Sequence, residues 1–99
     1  MHYEELWQTA EQFHQENSLT DSIDEILEEL TLKIGLYKAI NQRSEIPEED
    51  KKEAKSRLLG EILLTFTNLS FKEDINVFKA LHVALMQRSA EYNYKLTEG

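Results

Sequence analysis

The chain of 99 residues has no cysteine, one proline and three glycines. Without cysteine it can form neither a disulfide nor a thiolate metal site, and it has no thiol nucleophile. So few glycines and prolines leave little material for tight hairpins, which argues against a sheet-rich fold. No segment approaches the roughly 18 apolar residues that a membrane-spanning helix needs, and the charged start MHYEELWQ is unlike a signal peptide. We therefore expect one soluble, cytoplasmic domain over residues 1–99.

Basic residues are also scarce. Eleven lysines and arginines face 19 aspartates and glutamates, which gives a formal net charge of −8. Such a surface repels the phosphate backbone of DNA and RNA, so no nucleic-acid partner is expected. An acidic chain suits the recruitment of divalent cations, although many acidic proteins recruit none.

Apolar residues recur at helical spacing through four segments, and no segment alternates with period two for long enough to make a strand. The predicted helices cover residues 3–17, about 22–42 after a Ser22–Glu25 capping box, about 47–69 after the loop RSEIP, and a last segment that begins at Ser70 or Asp74. The predicted fold is all-α, a four-helix bundle-like arrangement with short connections.

The second predicted helix has two apolar faces. Ile26, Leu30 and Tyr37 belong to one stripe, whereas Leu32 and Leu36 lie roughly opposite. Its C-terminal half is therefore apolar nearly all round, which is typical of a helix that is central in a bundle or covered by another subunit. Since a small bundle leaves one side of each helix open, we expect a homodimer or a higher homo-oligomer.

Candidate chemistry lies in the acidic residues that precede Leu32. Glu25 and Glu29 are spaced i,i+4, and Asp24 and Glu28 flank them. Carboxylates at that spacing repel one another, and a divalent cation such as Mg²⁺, which binds oxygen ligands, would turn the repulsion into binding. The alternative is a solvated helix start that is rich in acids because the helix dipole favours them.

Two other positions have competing interpretations. Glu61 lies at the margin of the third helix's apolar stripe and points either to solvent or into a groove against the second helix, while the adjacent Gly60 would let a backbone or ligand approach closely. His14 and His82 lie on the apolar stripes of the first and fourth helices. They are either hydrogen-bonded core histidines or joint ligands of a metal with a carboxylate.

The aromatic residues are most simply core side chains. This prediction covers Trp7, Phe13, Tyr37, Phe66, Phe71 and Phe78. Tyr92 and Tyr94 are candidates for packing across a subunit boundary.

Three segments, DEILEELTLKIGLYKAI, RLLGEILLTFTNL and INVFKALHVALMQR, together resemble the MazG-like all-α nucleoside triphosphate pyrophosphohydrolases. The likeness runs from about residue 22 to residue 90 and lies mainly in helix order and apolar pattern. That family has an acid-acid-x-x-acid motif on one helix and a Glu-x-x-Asp motif on the next, typically inside EELGDLL. Asp24, Glu25 and Glu28 fit the first motif. Glu28 and Glu29 also fit its first two positions, but Leu32 stands where the third acid would be. Glu61 stands where the family has Asp, but Leu58 stands where it has Glu.

The resemblance implies a function as well as a fold. Glu25, Glu28, Glu29 and Glu61 would hold Mg²⁺, or Mn²⁺, against a nucleoside triphosphate, and an activated water would release a monophosphate and pyrophosphate. Lys79 and Arg88, on the last helix where the family has basic residues, would neutralise the developing charge. Because Leu58 removes one expected ligand, the alternative is a non-catalytic helical oligomer that binds another protein or a nucleotide.

Overall fold

The computed structural model describes the backbone of residues 3–98 and the side chains of residues 3–90. Over that part the chain forms four helices and no strand: α1 (Tyr3–Asn17), α2 (Ile23–Asn41), α3 (Glu48–Glu73) and α4 (Val77–Glu98). The predicted all-α, four-helix bundle-like class is confirmed. Across the described residues, no helix has the length and apolar character that crossing a membrane requires.

Ser22 caps the start of α2 as predicted, and the Glu25 side chain reaches back to the Ser22 hydroxyl instead of the Ser22 backbone N–H. The Ser22 hydroxyl accepts a hydrogen bond from the Glu25 backbone N–H at 3.1 Å and donates one to the Glu25 carboxylate at 3.2 Å. Because this satisfies an N–H that has no partner within the helix, it stabilises α2 by about 1 kcal/mol. The helix ends with Gln42 as its C-cap, at the predicted position.

The boundary between the third and fourth helices differs from the prediction. α3 continues past its predicted end to Glu73, and its C-cap, Asp74, adopts the left-handed conformation at φ 54°. Aspartate tolerates this conformation better than most residues. The prediction that Ser70 or Asp74 starts α4 is therefore wrong. Asn76 is the capping residue, since its side-chain oxygen accepts a hydrogen bond from the Lys79 backbone N–H at 3.1 Å.

α3 is the central helix of the fold. α2 packs along it and α1 packs over a shorter length, and no other pair of helices packs extensively within the described residues. One stripe of α2 is buried or half-buried and faces α3: Ile23, Ile26, Leu30, Lys33, Tyr37 and Ile40. Ile26, which is 1% exposed, is the one apolar side chain that is fully buried among residues 3–90.

The contact between α1 and α3 is polar. His14 is buried, its Nε2 lies 2.8 Å from both the Leu64 carbonyl oxygen and the Thr67 hydroxyl, and its Nδ1 lies 3.2 Å from the Ser18 hydroxyl. The prediction of a hydrogen-bonded core histidine is confirmed for His14. It is wrong for His82, which is exposed on α4.

α4 leaves the other three helices. Every side chain from Phe78 to Ala90 is exposed, although Phe78 makes an edge-to-face contact with Trp7 at a centroid distance of 4.9 Å. The radius of gyration is 17.2 Å, against about 13 Å for a compact domain of this length. The chain is therefore open.

This open arrangement corrects part of the predicted aromatic core. Three of the predicted core aromatics are exposed in the single chain: Phe13, Phe66 and Phe78. The helical pattern identifies their apolar faces, but within one chain too little packs against those faces to bury them. Tyr92 and Tyr94 lie outside the described side chains.

Candidate functional site

Two of the predicted acidic residues face each other across the groove between α2 and α3, and a lysine lies between them. Lys33 Nζ is 3.0 Å from Glu29 Oε1 and 3.4 Å from Glu61 Oε2. It also donates a hydrogen bond to the Thr65 hydroxyl at 2.8 Å. The space between the two carboxylates is thus filled by a cation that belongs to the chain itself.

Helical spacing accounts for this cluster, which we call the Lys33 clamp (Glu29, Lys33, Glu61 and Thr65). Lys33 follows Ile26 by two turns, so it lies on the stripe that faces α3, and it follows Glu29 by one turn in the favourable Glu-to-Lys order. On α3, Thr65 follows Glu61 by one turn and donates its hydroxyl to the Glu61 carbonyl at 3.0 Å. Each helix therefore contributes two polar groups at one level of the groove.

The clamp neutralises charge and attaches α2 to α3. The side chain of Lys33 is 17% exposed, so its aliphatic stem lies against α3, while both glutamates are about half exposed. Each ion pair consequently contributes at most about 1 kcal/mol. The ammonium donates hydrogen bonds to Glu61 and Thr65 and forms an ion pair with Glu29, so its head group lies between the two carboxylates.

The other two predicted metal ligands lie elsewhere. Glu25 belongs to the capping box with Ser22. Glu28 lies on the side of α2 opposite Ile26, in a shallow depression of about 550 Å³. Residues 3–90 contain no group of three or more His, Cys, Asp or Glu side chains that is arranged to hold a metal ion. Metal binding by the four glutamates stays a prediction.

The predicted phosphate-binding residues are on the open helix. Lys79 and Arg88 are both exposed, and α4 does not pack along α2. Within one chain the structure does not bring these two side chains into the Lys33 clamp.

A cleft of about 960 Å³ lies at the corner where α4 leaves α3. Trp7, Phe71 and Phe78 supply aromatic surface to it, and Glu4 and Glu11 lie at its edge. The cleft shares no residue with the Lys33 clamp. It exists because α4 turns away from α1 instead of packing along it.

Sequence reasoning missed Lys33. A signal was present, because the residue lies one turn after Glu29 and two turns after Ile26, which places it on the α3-facing stripe. A lysine at such a position buries its stem and directs its ammonium to nearby carboxylates. The pattern of apolar residues alone treats lysine as solvent-facing and so hides this arrangement.

Comparisons of the chain with family models, with curated proteins and with solved structures find no match. The resemblance to the MazG-like pyrophosphohydrolases therefore rests on the helix order, apolar pattern and partial motifs of the three quoted segments.

Proposed function

We propose that this chain is a non-catalytic helical module that self-associates in the cytoplasm, and that it resembles the MazG-like enzymes in helix order without their turnover. The observation that supports this most is the Lys33 ammonium between Glu29 and Glu61. An ion such as Mg²⁺ is bound by carboxylate oxygens, and to lie between these two carboxylates it would have to displace the ammonium that already lies there. Leu58, where the family has a ligand, removes a further oxygen donor.

Self-association is supported by the amount of surface that the single chain leaves exposed. Its accessible surface is 8272 Å², whereas a compact monomer of 11.6 kDa exposes about 5,800 Å². The excess is about 2,400 Å² per chain. Summed over the two chains of a dimer, it lies within the range of surface area that obligate homodimers bury at their interface. A second copy of the chain is the occupant that this area fits.

The exposed surface also has the right chemistry. Much of it is apolar, on α2, α3 and α4: Leu27, Leu32, Ile34, Leu36, Leu59, Leu63, Leu81, Val83, Leu85 and Met86. A chain with so little buried apolar surface gains little free energy from folding alone, because burial is the main favourable contribution. Covering these side chains with another copy supplies the missing burial.

Light scattering coupled to size exclusion tests the assembly. At micromolar concentration we expect a mass of at least twice the 11.6 kDa of one chain. Leu85→Glu introduces a charge on the apolar surface of α4 and should lower the mass, whereas Gln87→Glu, an exposed polar position on the same helix, should not. A cooperatively folded monomer at this concentration would contradict the proposal.

The second candidate is a Mg²⁺-dependent nucleoside triphosphate pyrophosphohydrolase. Its support is the convergence of Glu29 and Glu61 from neighbouring helices at the α2–α3 groove. A panel of standard and modified nucleoside triphosphates, with Mg²⁺ or Mn²⁺, separates the two candidates. We expect no pyrophosphate release and no change in the melting temperature with either ion or with EDTA. Turnover that Glu61→Gln abolishes would replace our proposal by the enzymatic one.

Lys33→Met provides a matched test of the clamp. Methionine keeps an apolar stem of similar length and removes the ammonium, so the two carboxylates are left facing each other. We expect Mn²⁺ or Mg²⁺ to raise the melting temperature of this variant and not that of the wild type, since a ligand that binds only the folded state stabilises it. Lys38→Met, an exposed position on the same helix, is the control. If neither ion raises the melting temperature of the Lys33→Met variant, the lysine is not what prevents metal binding.

A further inference from the structure

We infer that α4 of one copy packs against the outer face of α2 in a second copy. By the outer face of α2 we mean the residues on the side opposite Ile26: Asp24, Leu27, Glu28, Thr31, Leu32 and Gly35. The inference rests on the proposed self-association and specifies which two surfaces meet.

The outer face of α2 is open and carries exposed apolar side chains. Leu32 is 64% exposed, and together with Leu27 and Thr31 it lines the shallow depression of about 550 Å³. A Cβ built on Gly35 would meet no atom within 4 Å, so nothing in the same chain explains a glycine that costs the helix about 1 kcal/mol. A helix from outside the chain could approach the α2 backbone closely at this point.

α4 is the helix that lacks a partner. Its described side chains from Phe78 onward are all exposed. Apolar residues occupy most sides of its first half, since Leu81, Val83, Leu85 and Met86 do not fall on one stripe. A helix that is apolar all round belongs in a core. The partner of α4 must therefore offer apolar surface, as the outer face of α2 does.

Charge selects α2 over a second α4. Residues 77–90 contain Lys79 and Arg88 and no acid, in a chain whose net charge is −8. Pairing α4 with α4 would bring these like charges together. Pairing α4 with the outer face of α2 brings basic side chains to Asp24 and Glu28, which lie about two turns and one turn before Leu32 on that face. Complementary charges beside apolar side chains are found at specific interfaces.

Disulfide mapping tests the contact directly, because the wild-type chain has no cysteine. Single-cysteine variants Leu32→Cys and Leu85→Cys, one of them carrying a mass tag, are mixed in equal amounts, re-equilibrated and oxidised. Both positions are mid-helix, so the pair reports contact whichever way the helices run. We expect the mixed disulfide to exceed either homodisulfide several-fold, since a bridge forms only where Cα atoms come within about 7 Å. Leu59→Cys on α3, also exposed, replaces Leu32→Cys as the matched control and should give little mixed product.

Charge reversal tests the complementarity. Asp24→Lys with Glu28→Lys should raise the dissociation constant of the assembly about tenfold, since two attractive surface pairs become repulsive. Adding Lys79→Glu with Arg88→Glu should restore most of the affinity. Glu49→Lys with Glu53→Lys, at the same i,i+4 spacing on exposed positions of α3, is the control and should change the constant less than twofold.

The outcomes separate the two proposals. A chain that stays monomeric at all concentrations overturns the self-association and this inference with it. An assembly that cross-links through Leu85→Cys to itself, or whose affinity the second charge reversal does not restore, overturns the α2–α4 contact alone. The self-association would then still be supported by the measured mass.

Discussion

Ile26→Ala is the substitution that we expect to destabilise the chain most. Ile26 is 1% exposed and lies where α2 packs along α3. The change removes three buried carbon atoms, which at about 0.8 kcal/mol each amounts to about 2.4 kcal/mol of transfer free energy. The cavity left behind adds to this, so a loss of about 3 kcal/mol in the free energy of unfolding is expected.

The assay is urea unfolding followed by far-UV circular dichroism at a fixed protein concentration. Ile26→Val, which removes one carbon, should cost about 1 kcal/mol, so that the loss increases with the number of buried carbons removed. Ile75→Ala makes the same chemical change at a side chain that is 50% exposed and that is not among those assigned to the contact with a second copy, and it should cost less than about 1 kcal/mol. Equal losses for Ile26→Ala and Ile75→Ala would refute the reasoning, because burial within the chain would then not determine the cost.

Three further predictions concern single polar groups. Ser22→Ala removes the capping hydroxyl of α2 and should cost about 1 kcal/mol in thermal unfolding, whereas Ser22→Asp, which can still accept the Glu25 N–H, should stay near the wild type. His14→Ala leaves the buried Ser18 hydroxyl without its imidazole partner, so a loss of about 1–3 kcal/mol is expected, and restoration by His14→Leu would contradict a hydrogen-bonding role. A hydrogen bond from its own backbone N–H lowers the pKa of the Glu45 carboxyl, and the nearby Arg43 lowers this pKa further. The resulting stabilisation is present at neutral pH and is lost as the pH falls through the folded-state pKa. An NMR titration checks it, and an unshifted carboxyl would contradict it.

Where the determinants are local, the sequence predicts the structure well. The bounds of α1 and the capping of α2 are as predicted, because a Ser-x-x-Glu box and the i,i+3/i+4 stripe involve residues within one or two turns. The prediction of the start of α4 fails because several nearby residues are suitable caps. Ser70, Asp74 and Asn76 are all able to cap a helix, and α3 extends through the first candidate and ends at the second.

The composition of the core was harder to predict from the sequence. Buried side chains between α1 and α3 are polar, as His14 and Asn68 illustrate, with the Asn68 amide donating a hydrogen bond to the Asp21 carboxylate at 3.0 Å. Periodicity of apolar residues cannot find such a contact, because each polar group is stabilised by a partner more than 40 residues away in the chain. Lys33 was missed for another reason: its partner Glu29 is only one turn away, but the pattern of apolar residues treats a lysine as solvent-facing.

The candidate site was predicted in part. Sequence reasoning placed Glu29 and Glu61 on neighbouring helices, and the structure brings them to one level of the α2–α3 groove. It did not identify what lies between them, because the charge that fills the gap comes from a third residue on the same stripe. A carboxylate pair read from spacing alone is therefore equally consistent with a divalent ion or with an internal ammonium. Only the position of nearby basic residues separates the two.

The open position of α4 connects the fold to the proposed function. An internal ammonium attaches α2 to α3, and α1 packs on α3, so three of the four helices are joined within one chain. What they lack is apolar burial, and the apolar surface that would supply it lies on α4 and on the outer face of α2, which do not meet within one chain. Packing α4 against α2 of another copy removes both exposed surfaces in the same step and places opposite charges together. Under this proposal Glu29 belongs to the attachment to α3, whereas Glu28 belongs to the contact with the second copy.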